Sequence, residues 1–230
     1  MSKATNKRHL ISFVEPKSPI SEAYRALRTN IDFSSVDDNI QVIMTTSASP
    51  GEGKSTTISN LAVVYAQADK KVILIDSDMR KPTMHHTFGV SNRKGLSSIL
   101  SRQCEINEAV QITDVPNLSV ITSGPIPPNP SEMVASQRMS ALIEELRKMF
   151  DIVLIDTPPT LAVTDAQIVS TKCDGALLVL DSGKVKRDMV IKAKQQLTQV
   201  NAKILGVVLN NVKQKNGDGY YYYYYSNAEN

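Results

Sequence analysis

The chain has 230 residues, 41% of them hydrophobic, so it is long enough to bury a core without disulfide or metal staples. Its apolar runs fall far short of the roughly 18 residues a membrane-crossing helix needs, which excludes a membrane span; no apolar segment follows the amino-terminal lysines, so no secretory signal is visible, and a cytoplasmic location is expected. A net charge of +3 is too small for a nucleic-acid footprint, and Cys104 and Cys173 are too few and too far apart for a disulfide framework or a zinc site.

Residues 1–20 carry Pro16 and Pro19 and are expected to form an extended arm. The first 30 residues hold six basic side chains against Glu15 and Glu22, a charge that suits an anionic surface, an acidic partner or plain solvation. A short helix is expected over 21–31. Strands then fall at 40–45, 71–76, 118–122, Ile152–Asp156, 176–181 and 203–210, all short and rich in Val, Ile and Leu. Such near-continuous apolar runs suit strands covered on both faces. Helices fall between them at 54–68, 131–150, 164–171 and 184–200, the second announced by Pro130. Gly95 to Leu100 reads as one further helical turn. This alternation predicts a single α/β domain, doubly wound around a mainly parallel sheet. The domain is expected to span 21–211. A polar tail, 212–230, follows and contains six consecutive tyrosines: Tyr220, Tyr221, Tyr222, Tyr223, Tyr224 and Tyr225.

Directly after the first strand, Ser47-Ala-Ser49-Pro50-Gly51-Glu52-Gly53-Lys54-Ser55-Thr56 opens a helix, with Ala48 where a phosphate-binding loop usually has its first glycine. Successive backbone N–H groups and the positive helix end suit phosphate oxygens, Lys54 bridges the outer ones, and the Ser55 hydroxyl suits Mg²⁺. Ser49 to Thr56 is therefore the expected nucleotide cradle. The next strand ends in Val72-Ile-Leu-Ile-Asp76-Ser-Asp78-Met-Arg80. Carboxylates at i and i+2 leave a strand on one side, so Asp76 and Asp78 can converge on a metal or a reacting hydroxyl, or can cap a turn. The run Ile152-Val-Leu-Ile-Asp156 repeats the form of four apolar residues and an acid, the form of the second nucleotide motif. Ligands of open α/β sheets bind outside the carboxyl ends of the strands, which places all three pieces on one edge as a site for Mg²⁺ and a nucleoside triphosphate. Asn210 or Asn211, ending the last strand there, contacts an adenine base or simply forms a turn. His9, His85 and His86 lack metal-ligand spacing.

The pair of acids, rather than one, resembles the bacterial tyrosine kinases (BY-kinases) of capsule and exopolysaccharide synthesis, in the form where the kinase is a separate chain. The resemblance runs from about residue 10 into the tail. It rests on the altered loop, on Asp76, Asp78 and Arg80, on Asp156, on Gly124-Pro-Ile-Pro-Pro-Asn-Pro-Ser-Glu132, on Glu22, Arg25 and Arg28, and on the tyrosines. It implies ATP-dependent autophosphorylation of Tyr220 to Tyr225, in trans within a ring, that regulates polysaccharide synthesis and export. Lys54, Asp76, Asp78 and Arg80 would then be the catalytic set, with Asp76 the leading base. Ser55, Asp76, Asp78 and Asp156 would hold Mg²⁺, and Glu22, Arg25 and Arg28 would pack one subunit on the next. The implied partners are a separate membrane-embedded polysaccharide co-polymerase that activates the chain and a phosphotyrosine phosphatase, with the chain peripheral at the inner membrane face. The alternative is an ATP-switched positioning module, like the cell-division and partition ATPases, without kinase activity. Those relatives carry an extra lysine early in the loop, where this chain has Ser49-Pro50-Gly51.

Overall fold

The computed structural model describes residues 10–34 and 40–212. Two helices, α1 (Ile11–Val14) and α2 (Pro19–Phe33), precede β1 (Val42–Ser47), α3 (Lys54–Ala66) and β2 (Val72–Asp76). Three short helices, α4 (Met84–Phe88), α5 (Leu96–Leu100) and α6 (Ile106–Ala109), lead to β3 (Val110–Ile112) and β4 (Leu118–Ile121). Then follow α7 (Pro130–Ala135), α8 (Gln137–Met149), β5 (Ile152–Asp156), α9 (Asp165–Ser170), β6 (Gly175–Asp181), α10 (Arg187–Gln199) and β7 (Ile204–Asn210). The strands form one sheet in the order β3-β4-β2-β5-β1-β6-β7, parallel throughout except for the β3–β4 pair.

Strand side chains alternate between the two sheet faces, which explains the unbroken apolar runs. Val42, Met44, Ile73, Ile75, Val153 and Ile155 pack against Leu96, Leu142, Ile143 and Leu146 on one side. Ile43, Val72, Leu74 and Leu154 pack against Ile58, Leu61 and Val64 of α3 on the other. The central helix α3 is buried at nearly every position because α1 and α2 cover the face it turns away from the sheet. Ser12 N–H donates to Asn60 Oδ1 at 3.0 Å, and the Tyr65 hydroxyl donates to Asp32 Oδ1 at 2.9 Å.

Three local expectations change. The described part of the supposed extended arm is folded: α1 sits on α3, and α2 begins at Pro19, two residues before the expected start. Ser18 caps α2 by accepting from Ser21 N–H at 3.2 Å, and Pro19 occupies the first turn, where its missing N–H costs nothing. The expected single helix over 131–150 is two helices, because Ser136 adopts an extended conformation and caps α8 by accepting from Met139 N–H. The short antiparallel edge strand β3 had no sequence signal of its own.

Candidate active site

Parallel pairing brings the carboxyl ends of β1, β2 and β5 to one edge, with Asp76 and Asp156 in register on adjacent strands. The loop between β1 and α3 turns through Gly51 (φ +82°) and Gly53 (φ +94°), a conformation that side-chain-bearing residues resist. Gly53 is also crowded, since a Cβ there would lie 2.0 Å from Asn210 Nδ2. Asn210 reaches across from β7 and donates to Glu52 O at 3.1 Å, so its amide latches the loop. The buried Glu52 accepts from Ser49 N–H at 2.7 Å and holds the first turn. Gly53→Ala should therefore lose nucleotide affinity and about 1 kcal/mol or more of stability. Isothermal titration with a nucleotide and a thermal melt would check both, and unchanged affinity in the Gly53→Ala variant would contradict the crowding.

Lys54 Nζ lies 3.2 Å from Asp78 Oδ2, 3.7 Å from Asp156 Oδ1 and 3.1 Å from Ser55 Oγ. Ser55 Oγ donates to Asp156 Oδ2 at 2.6 Å. Both oxygens of Asp76 are engaged by backbone: Oδ1 accepts from Asp78 N–H, and Oδ2 accepts from Thr83 and Met84 N–H at 2.9 and 3.0 Å. Asp78 Oδ1 accepts from Lys81 N–H at 3.0 Å. Both acids thus shape the loop after β2; Asp78 also lines the cleft, whereas Asp76 is buried beneath it with both oxygens engaged.

All three acids are buried around a single lysine. Burial, and then the neighbouring Asp156, raise the proton affinity of Asp76 well above that of an ordinary carboxylate. Burial also pushes Asp156 up, against the pull of Lys54 and Ser55. For Lys54, burial alone would favour the neutral amine, but Asp156 and Asp78 outweigh it and hold the ammonium. The cluster has an excess of negative charge, and Asp156 Oδ1 is buried without a hydrogen-bond partner. That acceptor, beside the Ser55 hydroxyl, fits a divalent cation. Among the described residues no three carboxylate, His or Cys side chains converge as a self-contained metal cage. This suits Mg²⁺, which takes one or two protein oxygens and fills its remaining positions with phosphate and water.

A cleft of about 780 Å³ opens over this cluster. One wall is the loop, from Pro50 and Gly51 through Gly53, Lys54, Ser55 and Thr56. The other includes Asp78, Arg80, Lys81, Thr83, Pro158 and Pro159. Arg80 forks onto Asp165, with Nε 3.1 Å from Oδ2 and Nη2 3.2 Å from Oδ1, and its Nη2 also donates to Ser131 Oγ at 2.9 Å. Sequence reading gave no role to Asp165 or Ser131, which stand in the first turns of α9 and α7, outside the nucleotide motifs.

Farther from the cleft, Arg25 pairs with Glu22 and donates to Pro16 O at 2.7 Å. Arg28 instead donates to Val64 O at 2.7 Å and ties α2 to α3. The three residues are therefore not one equivalent exposed face. The His85 and His86 rings touch in α4, tilted 41° to each other with centroids 3.9 Å apart. Tyr220 to Tyr225 lie outside the described residues.

A family model described as an AAA domain matches residues 40–204. The tyrosine-protein kinase YwqD of Bacillus subtilis is 49% identical over 93% of this chain and 90% of its own length. The chain belongs to the bacterial tyrosine kinase family. The putative tyrosine-protein kinase CapB of Staphylococcus aureus is 43% identical over 90% of each protein. Among solved structures, the chimerical protein CapA2B2 superposes with a TM-score of 0.87 at 43% identity, covering 93% of this chain and 92% of that one. The kinase domain of the Escherichia coli tyrosine kinase ETK gives 0.88 at 37% identity, over 94% and 85%. The septum site-determining protein MinD of Pyrococcus horikoshii, at 22% identity and a TM-score of 0.66, shares the fold. Among the described residues of this BY-kinase no helix is long and apolar enough to cross a membrane.

Proposed function

We propose that this tyrosine kinase transfers the γ-phosphoryl group of ATP, with Mg²⁺, to Tyr220–Tyr225 of its own tail or a neighbour's. The observation that carries this reading is the buried cluster of Lys54, Ser55, Asp78 and Asp156 beneath a cleft walled by the phosphate-binding loop. Phosphoryl transfer calls mainly for positioning and neutralisation of charge. In this reading Lys54 leaves its acids for the phosphate oxygens, while the backbone N–H groups from Gly51 to Thr56 cradle the anion. Ser55 and Asp156 would hold Mg²⁺, directly or through water, and Asp78 lies on the same side; the ion would neutralise charge that builds on the phosphates.

A tyrosine hydroxyl has a pKa near 10, so a carboxylate that takes its proton lowers the barrier. Asp76, at the strand end beneath Asp78, is the proposed base: burial raises its proton affinity, and taking the proton requires one oxygen to leave its backbone donors, while Asp78, on the cleft wall and bonded to Lys54, suits the phosphate side. Asp76→Asn is expected to lower turnover by about 10²–10⁴-fold with nucleotide affinity largely kept. Single-turnover phosphotyrosine formation beside an ATP titration measures the two separately. An affinity loss as large as the loss of turnover would make Asp76 a metal ligand first.

The tail is reached in trans within a ring, in the proposed assembly, through Glu22, Arg25 and Arg28. Because Arg28 also braces α3, the cleaner test is Glu22→Ala with Arg25→Ala, which should give a folded monomer with weak autophosphorylation. Light scattering that still shows the oligomer would reject this interface. A separate membrane-embedded polysaccharide co-polymerase is the proposed activator, in keeping with the CapA2B2 chimera, and a phosphotyrosine phosphatase resets the tail. The process served is synthesis and export of capsular or extracellular polysaccharide, with the kinase held at the inner membrane face by its activator.

A further inference from the structure

Asp165 is a buried acid that the chemistry above leaves unused. It is fully buried, and it lies between three loops that leave the carboxyl ends of different strands. Arg80, on the loop after β2, forks onto both of its oxygens. Ser131, on the segment that follows β4, donates its hydroxyl to Asp165 Oδ1 at 2.5 Å and accepts from Arg80 Nη2. That segment is anchored upstream, where Asn92 brackets Gly124: Oδ1 accepts from Gly124 N–H at 2.9 Å, and Nδ2 donates to Gly124 O at 3.1 Å. Asp165 itself closes the loop after β5, whose Pro158 and Pro159 line the cleft.

An ion pair with one fully buried partner is a poor source of stability, because desolvation of that partner offsets much of the attraction; its common use is to hold one geometry. What this pair holds is the cleft wall opposite the phosphate-binding loop. Arg80 is part of that wall, and its Nη1 bonds none of the described residues, so one nitrogen of a clamped guanidinium is left for whatever enters the cleft. With phosphates cradled on the loop side, in-line transfer brings the acceptor from this opposite side. We infer that Asp165 is a positioning residue for the acceptor half of the reaction: through Arg80 and Ser131 it sets the wall that receives the tyrosine segment, and it leaves nucleotide binding to the loop. This rests on the kinase reading above.

The test uses the full chain, Mg-ATP and a synthetic peptide of residues 212–230 as acceptor. Asp165→Asn, nearly isosteric and uncharged, is expected to lower kcat/KM for the peptide at least about ten-fold. Its ATP affinity should stay within about two-fold of the parent. Arg80→Lys, on a partly exposed side chain, keeps the charge but loses the fork; it tests the same wall should Asp165→Asn fold poorly, and the same split is expected. Asp165→Glu should recover part of the loss. Combining Asp165→Asn with Arg80→Ala should cost no more than Arg80→Ala alone, since one residue acts through the other. Equal losses of ATP affinity and peptide transfer, additive losses in the double variant, or unchanged transfer in Asp165→Asn would each overturn the inference. Absence of peptide phosphorylation by the parent chain would instead remove the kinase reading.

Discussion

Replacing Lys54 with Met should lower tail phosphorylation by at least about 10²–10³-fold, the scale seen when one preorganised charge donor leaves a transition state. Methionine keeps most of the side-chain length and removes the ammonium that sits between Asp78 and Asp156. The same change leaves these buried acids without their cation, and breaking a buried pair costs on the order of 3–5 kcal/mol while the orphaned acid stays ionised. Protonation relieves that cost. Burial already raises the proton affinity of Asp156 against the opposing pull of Lys54, so removing Lys54 raises it further. A carboxyl whose folded-state pKa exceeds its unfolded value contributes stability at low pH and loses it as pH rises through the folded value. The gap in melting temperature between the parent and Lys54→Met is therefore expected to widen from about pH 5 to about pH 8. Circular-dichroism melts across that range, beside phosphotyrosine blots, give both readouts. A gap that is constant with pH would mean that Lys54 does not neutralise the acids. Undiminished phosphotyrosine in the folded variant would end the kinase assignment at this site.

Multiple phosphorylation of the tail should dissolve the proposed ring. The last strand runs parallel to its neighbour and ends at Asn210, on the edge that carries the site, so the chain beyond it starts beside the cleft. Roughly ten extended residues at about 3.3 Å each span on the order of 30 Å, enough for Tyr220 to reach its own site or a neighbour's. Each phosphotyrosine adds about −1.5 to −2 charges, so three or four reverse the net +3 of the chain. A tail so charged is repelled by the phosphates of ATP held in the cleft and by Asp78 on its wall. Light scattering before and after Mg-ATP is expected to show loss of the oligomer in the parent. A variant with all six tyrosines changed to Phe should keep it. A fully phosphorylated protein that remained assembled would refute the switch and leave the phosphoryl chemistry untouched.

The parallel sheet was legible because its information is local. Runs such as Val72 to Ile75 are apolar on consecutive residues, which suits a strand covered on both faces, and they alternate with helix-length segments. The phosphate-binding loop was legible for the same reason: Gly51, Gly53, Lys54 and Ser55 act through their own backbone and neighbours. Asp76 and Asp156 could be placed on one edge because parallel strands all end on the same side, and their register confirms it. Contacts between distant segments were a different matter. Arg80 stood inside a motif, but its partner lies 85 residues away, at the start of a helix whose pattern says nothing of the pairing. Arg28 shared a three-residue spacing with Glu22 and Arg25, yet a carbonyl of α3 takes its guanidinium and separates it from them. The α1 turn is too short to nucleate by itself and exists because Asn60 and Gln67 of the α3 segment bond Ser12. β3 likewise acquires its form from β4. Propensity and periodicity decide what a segment can become, whereas the partner of a charged or marginal segment is set by chain packing, which no local pattern encodes.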